Sequence, residues 1–287
     1  MSADSTMALP STAASQKAVE YTTSATPTLV EAARDLWSYR ELFFFLAWRD
    51  ITIRYRQTIL GAAWAVLQPM ITMLVFTFLF GVVVKVDTGG IPAPIFYFSA
   101  LLPWMYFAAT VTNAGNSLVG NGDLIKKVYF PRLILPASGA LVAVADLAIG
   151  ALILVAMMAY YGVLSWRLVL WLPLTALLFA FSFGMGVVLS AVNVKYRDVK
   201  HAIPFMVQIW MFLTPVIYPT KAVPHQFRWL LAINPLSGII EAFRATIAPS
   251  APFDRSSLLV SLAATILVLI IGTTYFRRVE GFFTDIV

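Results

Sequence analysis

The 287-residue chain is 60% hydrophobic and 12% charged, with a mean hydropathy of +0.82, whereas a soluble domain carries roughly a quarter charged residues. Such a composition cannot cover a fold with polar surface, so lipid is the solvent for most of the chain. The formal charge of +6 does not point to nucleic acid, because the basic residues flank apolar runs, where Lys and Arg set membrane orientation.

Residues 1–28 are rich in Ser, Thr and Ala, with Pro10 and Pro27, and lack the basic start and apolar core of a cleaved signal peptide. They are expected to form a disordered cytoplasmic tail, leaving 29–287 as one transmembrane domain. From Glu31 to Gln57 the pattern is helical but too charged to span. Arg34, Ser38, Glu41, Arg49, Thr52 and Arg56 fall on one stripe, and Leu36, Trp37, Phe43, Phe44, Ala47, Trp48, Ile51 and Tyr55 fall largely opposite. This is the signature of an amphipathic helix lying along the inner leaflet, either as an anchor or as a dock for a cytoplasmic partner.

Six apolar spans follow, near 60–84, 94–114, 136–161, 168–192, 203–218 and 257–276, so the expected fold is an all-α integral membrane protein. The fifth is short. The proline-punctuated stretch from 219 to 257 reads as re-entrant or interfacial helices, tolerated only where protein or a water-filled cavity receives the freed backbone groups. Lys126, Lys127, Arg132, Lys195, Arg197, Lys200, Arg277 and Arg278 join the basic residues before the first span on one side, which places both termini in the cytoplasm. No internal repeat of the kind found in inverted-repeat carriers is visible.

The second loop runs Gly122-Asp-Leu-Ile-Lys-Lys-Val-Tyr-Phe-Pro-Arg132. A mere connection could be shorter and need not interleave Leu124, Ile125, Val128 and Phe130 with Asp123, Lys126 and Lys127. It is built to be held by something. Catalytic chemistry has no scaffold: there is no Gly-x-x-x-x-Gly-Lys phosphate loop, no His-Glu-x-x-His pair and no Gly-x-Ser-x-Gly elbow. There is no cysteine, and His201 and His225 read as interfacial spectators. Asp146 is the clear charge inside a span, with no other central charge in the sequence to partner it. It serves either a structural hydrogen bond to a neighbouring helix or an ion site in a proton- or ion-coupled carrier.

Four segments share an order with a known family: the second loop continued through Leu133-Ile-Leu-Pro136, Asn193-Val-Lys-Tyr-Arg-Asp198, Phe212-Leu-Thr-Pro-Val-Ile-Tyr-Pro219 and Asn234-Pro-Leu-Ser-Gly-Ile-Ile-Glu-Ala-Phe-Arg244. Together they resemble the ABC-2 permeases that export O-antigen, capsule and teichoic acid polymers, from about Trp37 to the C-terminus. The resemblance implies a homodimer of six-span subunits in a bacterial inner membrane, paired with two separate ATPase subunits that bind ATP and magnesium, while this chain carries no cofactor. It further implies that Asp123, Leu124, Ile125, Lys126, Lys127, Val128, Tyr129 and Phe130 form a coupling helix seated in the ATPase, and that 219–257 forms periplasmic gate helices.

Aromatic residues make up 14% of the chain. Trp64, Phe80, Phe96, Tyr97, Phe98, Trp104, Tyr106, Phe107, Trp210, Phe212 and Tyr218 cluster in the first, second and fifth spans, which line the channel in the family resembled. Aromatic faces hold sugar C–H faces while phenol hydroxyls exchange hydrogen bonds, so a subset is expected to line a glycan path, against the alternative of an interfacial belt. Arg54 and Arg56 stand at inner headgroup level, suited to the pyrophosphate of a lipid-linked glycan or to ordinary anionic lipids. A membrane-embedded glycan- or lipid-modifying enzyme is the remaining alternative, with Glu241 and Asp254 as its carboxylates.

Overall fold

The computed structural model describes residues 34, 36–56, 63–196, 198–247 and 253–281; the proposed tail, Glu31, Gln57 and Arg197 lie outside them. Among the described residues the regular structure is helical throughout. The long helices are α1 Arg40–Arg56, α2 Trp64–Phe76, α3 Ala93–Gly120, α5 Ile134–Tyr160, α6 Trp171–Lys195, α7 Val199–Phe212 and α10 Arg255–Glu280. The short ones are α4 Gly122–Lys127, α8 Arg228–Ile233 and α9 Pro235–Ile247. Helix α2 continues into a π-helical turn, Thr77–Val83, and a 3-10 turn, Trp166–Leu170, leads into α6.

Five of these helical runs are long and apolar enough to cross a membrane, and α8 with α9, bent by 96° at Asn234, pass the same test only as a pair. Helix α3 is the central shaft: 78% of its apolar window is buried, against 11% for the α2 run and 22% for α10. It starts on Pro92 and Pro94, whose fixed backbone suits a first helical turn, and ends at Gly120. Helices α5 and α6 lie along it at close range because small residues face it. A Cβ on Gly186 would come within 2.5 Å of the Ala114 side chain, and one on Gly150 within 2.3 Å of Leu102. In lipid, where apolar surface gains little from leaving the solvent, such close packing carries much of helix association.

The fifth expected span, 203–218, is observed as α7 over 199–212 followed by turns. At 14 residues it is about 21 Å long at 1.5 Å per residue, too short for a full span. The topology nevertheless requires a crossing here. Asn193 at the end of α6 donates to the Gly115 carbonyl near the end of α3, and Arg132 just before α5 bonds to Glu280 at the end of α10. These residues therefore share one end of the bundle. At the other end Trp171 donates to Thr246 of α9, and Arg244 donates to the carbonyls of Pro215 and Val216. The chain changes ends between Lys195 and Pro215, and α7 with its following turns is the only segment that can do so.

Helix α1 departs from the expected two-faced pattern. Leu46 and Ala47 are buried against the bundle, while Phe44, Phe45, Trp48 and Ile53 stay exposed, so its apolar residues divide between two sides. The cause is tertiary: Leu46 packs with Leu118, Ile125 and Phe276 in a small cluster at the basic end.

Helix α10 begins on an exposed cap. The Asp254 carboxylate accepts from the amides of Ser256 and Ser257 and from both hydroxyls. Those serine hydroxyls first, then the amides, hold its pKa below the ordinary carboxylate value. The folded pKa is depressed, so the contribution is complete above the unfolded value of about 3.9 and is lost as pH falls through the folded value. Asp254→Ala is expected to cost about 0.5–2 kcal/mol at neutral pH, read as a lower unfolding midpoint in detergent, with the difference from wild type vanishing in strong acid.

Candidate functional site

The first candidate is the loop after α3, at the basic end of the bundle. Only Gly122–Lys127 is helical, the chain turns to extended backbone at Val128, and Tyr129 and Phe130 lie in no regular element, so the expected coupling helix is one short turned segment with a non-helical tail. Ile125 and Phe130, 5% and 4% exposed, are pegs in the small cluster with Leu46 and Leu118. Asp123, Lys126, Lys127, Val128 and Tyr129 face outward, and Leu124 is half-buried. The loop is also clamped from two sides. Arg49 of α1 donates to the Asn121 side chain at 2.8 Å, and the backbone N–H of Arg132 donates to Glu280 of α10 at 3.1 Å. A push on the outward residues would thus pass to α1, α3 and α10 together.

The second candidate is a cavity of about 520 Å³ between α1, α2, α3 and α5, lined among others by Arg54, Tyr55, Trp64, Gln68, Trp104, Tyr106, Thr112, Asn113 and Asp146. Asp146 lies about 18 Å along α5 from Ile134 at 1.5 Å per residue, near the middle of that helix. It does have a charged partner, contrary to the expectation from the sequence. Arg54 reaches it with Nη2 to Oδ2 at 2.9 Å, and the Tyr55 hydroxyl donates to Oδ1. Arg54 is thus paired with Asp146 while its side chain stays partly exposed, and Arg56 is exposed at the end of α1. The pairing was hidden because 91 residues separate Tyr55 from Asp146, and no local pattern brings α1 against α5.

The expected aromatic set separates by environment. Trp64 is 48% exposed and lines the cavity with Trp104 and Tyr106. Tyr97, Phe98 and Phe107 are fully enclosed in the subunit, and Phe96 nearly so. Phe107 stacks on Phe181 and meets Trp210 edge-on at 5.2 Å, which is core packing. Phe80 sits half-buried on the π-helical turn beside Tyr97. Phe212 is exposed, and the Tyr218 hydroxyl donates to its carbonyl.

The far end shows what two of the sequence motifs do. Asn234, at the 96° break, accepts from Trp210 Nε1 and from the Leu236 amide, and donates to the Leu213 carbonyl and the Thr214 hydroxyl. Arg244, 8% exposed, lies 4.0 Å over the Phe96 ring and holds the turn at Pro215 and Val216. The broken helix pair is thus tied to the end of α7 by the residues that open and close the last motif. Glu241 shares α9 with Arg244, and the Asp254 carboxylate is occupied by the cap of α10.

A family model for the ABC-2 type transporter membrane domain matches residues 41–248, from α1 through α9. The chain belongs to this family. Among curated relatives, this ABC-2 chain is 30% identical over 257 residues to the O-antigen export system permease protein RfbA of Myxococcus xanthus, covering 88% of this chain and 98% of that protein. It is 26% identical to the protein of the same name from Klebsiella pneumoniae, over 86% of this chain and 95% of the other. It is 25% identical to the polysialic acid transport protein KpsM of Escherichia coli, over 81% and 91%. The four sequence motifs all lie within the matched ABC-2 segment.

Proposed function

We propose that this chain is the permease subunit of an ATP-driven exporter that moves a lipid-linked polysaccharide, O-antigen in particular, across the bacterial cytoplasmic membrane. The observation that carries this reading is near full-length similarity to the O-antigen export permease of Myxococcus xanthus, 98% of which is covered. Two copies of the chain would enclose the polymer path, and two nucleotide-binding subunits would bind ATP and magnesium and supply the energy. Both termini and the loop around Lys126 would face the cytoplasm, in accord with the basic residues gathered at that end.

The clamped loop supports such a division of labour. Movement of a partner against Lys126, Lys127 and Tyr129 would displace α1, α3 and α10 as one body, which suits a switch between two packed arrangements. The carrier alternative is disfavoured by the Asp146 contacts, since its carboxylate is already engaged by Arg54 and Tyr55.

Purification of the tagged chain in mild detergent from its native host is expected to bring down a stoichiometric nucleotide-binding subunit with ATPase activity. Lys126→Glu, Lys127→Glu and Tyr129→Ala together should weaken that association at least about tenfold, because outward anchors at an interface contribute 2 kcal/mol or more when they are central. Phe130 is unsuitable for this test, being a core peg. A chain that purifies alone and without ATPase activity in several detergents would sink the exporter reading.

A further inference from the structure

The cavity beside Asp146 holds polar groups that the fold itself does not use. Among the described residues, the side chains of Gln68 and Asn113 both line it and neither makes a hydrogen bond within the subunit. Gln68 is exposed in the subunit and Asn113 half-buried, so both amides are open to whatever enters, and within a spanning segment such a group costs free energy unless something polar meets it. The aromatic share of the wall comes from Trp64 and Trp104 with Tyr55 and Tyr106. The volume of about 520 Å³ falls within the range of about 300–1,000 Å³ common to small-molecule sites.

Charge decides the class of ligand. Arg54 and Asp146 are 2.9 Å apart and cancel, so the cavity offers an entering anion no net attraction, and its carboxylate would oppose one. What remains on offer is a set of donors and acceptors of both kinds beside indole faces. That combination fits a neutral polyhydroxylated ring, whose hydroxyls both donate and accept and whose C–H faces rest on aromatic rings.

We infer that this cavity, inside one subunit, binds the neutral sugar ring of a membrane-anchored glycolipid, with Gln68 and Asn113 reading its hydroxyls, rather than the phosphate of that lipid. The inference rests on the polysaccharide-export reading and deepens it. It assigns Arg54 to the Asp146 pair and leaves anionic headgroup contact to Arg56. Because Trp64 and Gln68 stand in the first turns of a run long and apolar enough to span, a ring held there would stay attached to a lipid chain lying in the adjacent leaflet.

The full chain, purified with whatever subunits accompany it and placed in lipid nanodiscs, would be photolabelled with an octyl glucoside carrying a diazirine beside the ring, and the labelled peptides mapped. Saturable labelling of the 64–69 and 102–113 segments is expected, competed by excess octyl glucoside and not by octyl phosphate. Gln68→Leu with Asn113→Leu should raise the competing concentration about tenfold or more, from about three- to tenfold for each lost hydrogen bond. Neither amide is engaged in the fold, so the double variant should fold as the parent does, which its unfolding midpoint would check. Equal competition by octyl phosphate, competition by free maltose, labelling that does not saturate, or labelling unchanged in a folded double variant would each overturn the inference. Loss of the site with retention of the ATPase partner would remove this inference alone, whereas absence of the partner would remove the reading beneath it.

Discussion

Asp146→Ala is expected to destabilise the protein by about 1–3 kcal/mol, between the about 0–1 kcal/mol of an exposed ion pair and the about 3–5 kcal/mol lost when one member of a buried pair is removed. The intermediate range applies because the Arg54 and Asp146 side chains are 38% and 24% exposed in the subunit. The loss has two sources. Arg54 is left charged at membrane depth, where isolated cations are costly, and Tyr55 loses the acceptor for its hydroxyl. Arg54→Ala should cost a similar amount for the mirrored reason. The double variant should be more stable than the sum of the two single losses implies, since no uncompensated charge remains. Asp146→Asn keeps an acceptor for Tyr55 and a dipole for Arg54, so its midpoint should fall between those of wild type and Asp146→Ala. Unfolding midpoints of the four variants in one detergent would measure this. Additive losses would show that the pair contributes nothing as a pair, and export unchanged in Asp146→Asn would exclude a protonation role.

Gly238→Val should have a larger effect still. A Cβ at this position of α9 would lie 2.4 Å from the Ser257 carbonyl oxygen and 2.7 Å from its carbon, both backbone atoms of α10. Backbone cannot swing aside as a flexible side chain does, so the two helices must separate. Separation would break the hydrogen bond from Ser261 to the Pro235 carbonyl and loosen the broken helix pair from its seat. Overpacking commonly costs about 1–3 kcal/mol, and a clash against fixed backbone exceeds that range. The expected result is a protein that no longer survives detergent extraction as a monodisperse species, while Gly238→Ala is intermediate. Recovery of Gly238→Val at the wild-type yield and midpoint would show that α9 and α10 can part without cost.

Much of the architecture was legible in the primary structure because membrane folding writes its rules into composition. Spans must be long and apolar, and their basic flanks mark one side, so the long helices were found to within a few residues, apart from the far end of α3, which runs on to Gly120. The fifth span was the least accurate. Its helix stops at Phe212 and the remainder of the crossing is made by turns, because Asn234 and Arg244 supply the hydrogen bonds that a longer helix would have made for itself. The loop from Gly122 to Arg132 was recognisable as something held, but its alternating pattern could not say which residues were pegs. Ile125 and Phe130 turn inward only because Leu46 and Phe276, remote in sequence, are there to receive them.

By itself the amino-acid sequence determined that this chain lives in lipid, where its long apolar helices run, which end is basic and to which family it is related, since each follows from residue type and order along one strand of chain. The tertiary structure decided what no order along the chain contains: that Arg54 answers Asp146, that the aromatic cluster divides into core packing and cavity wall, and that Gln68 and Asn113 share one cavity. The reason is geometric. Periodicity reports which face of a helix is apolar, but the partner opposite that face, and any gap between them, exists only when helices far apart in sequence are laid side by side.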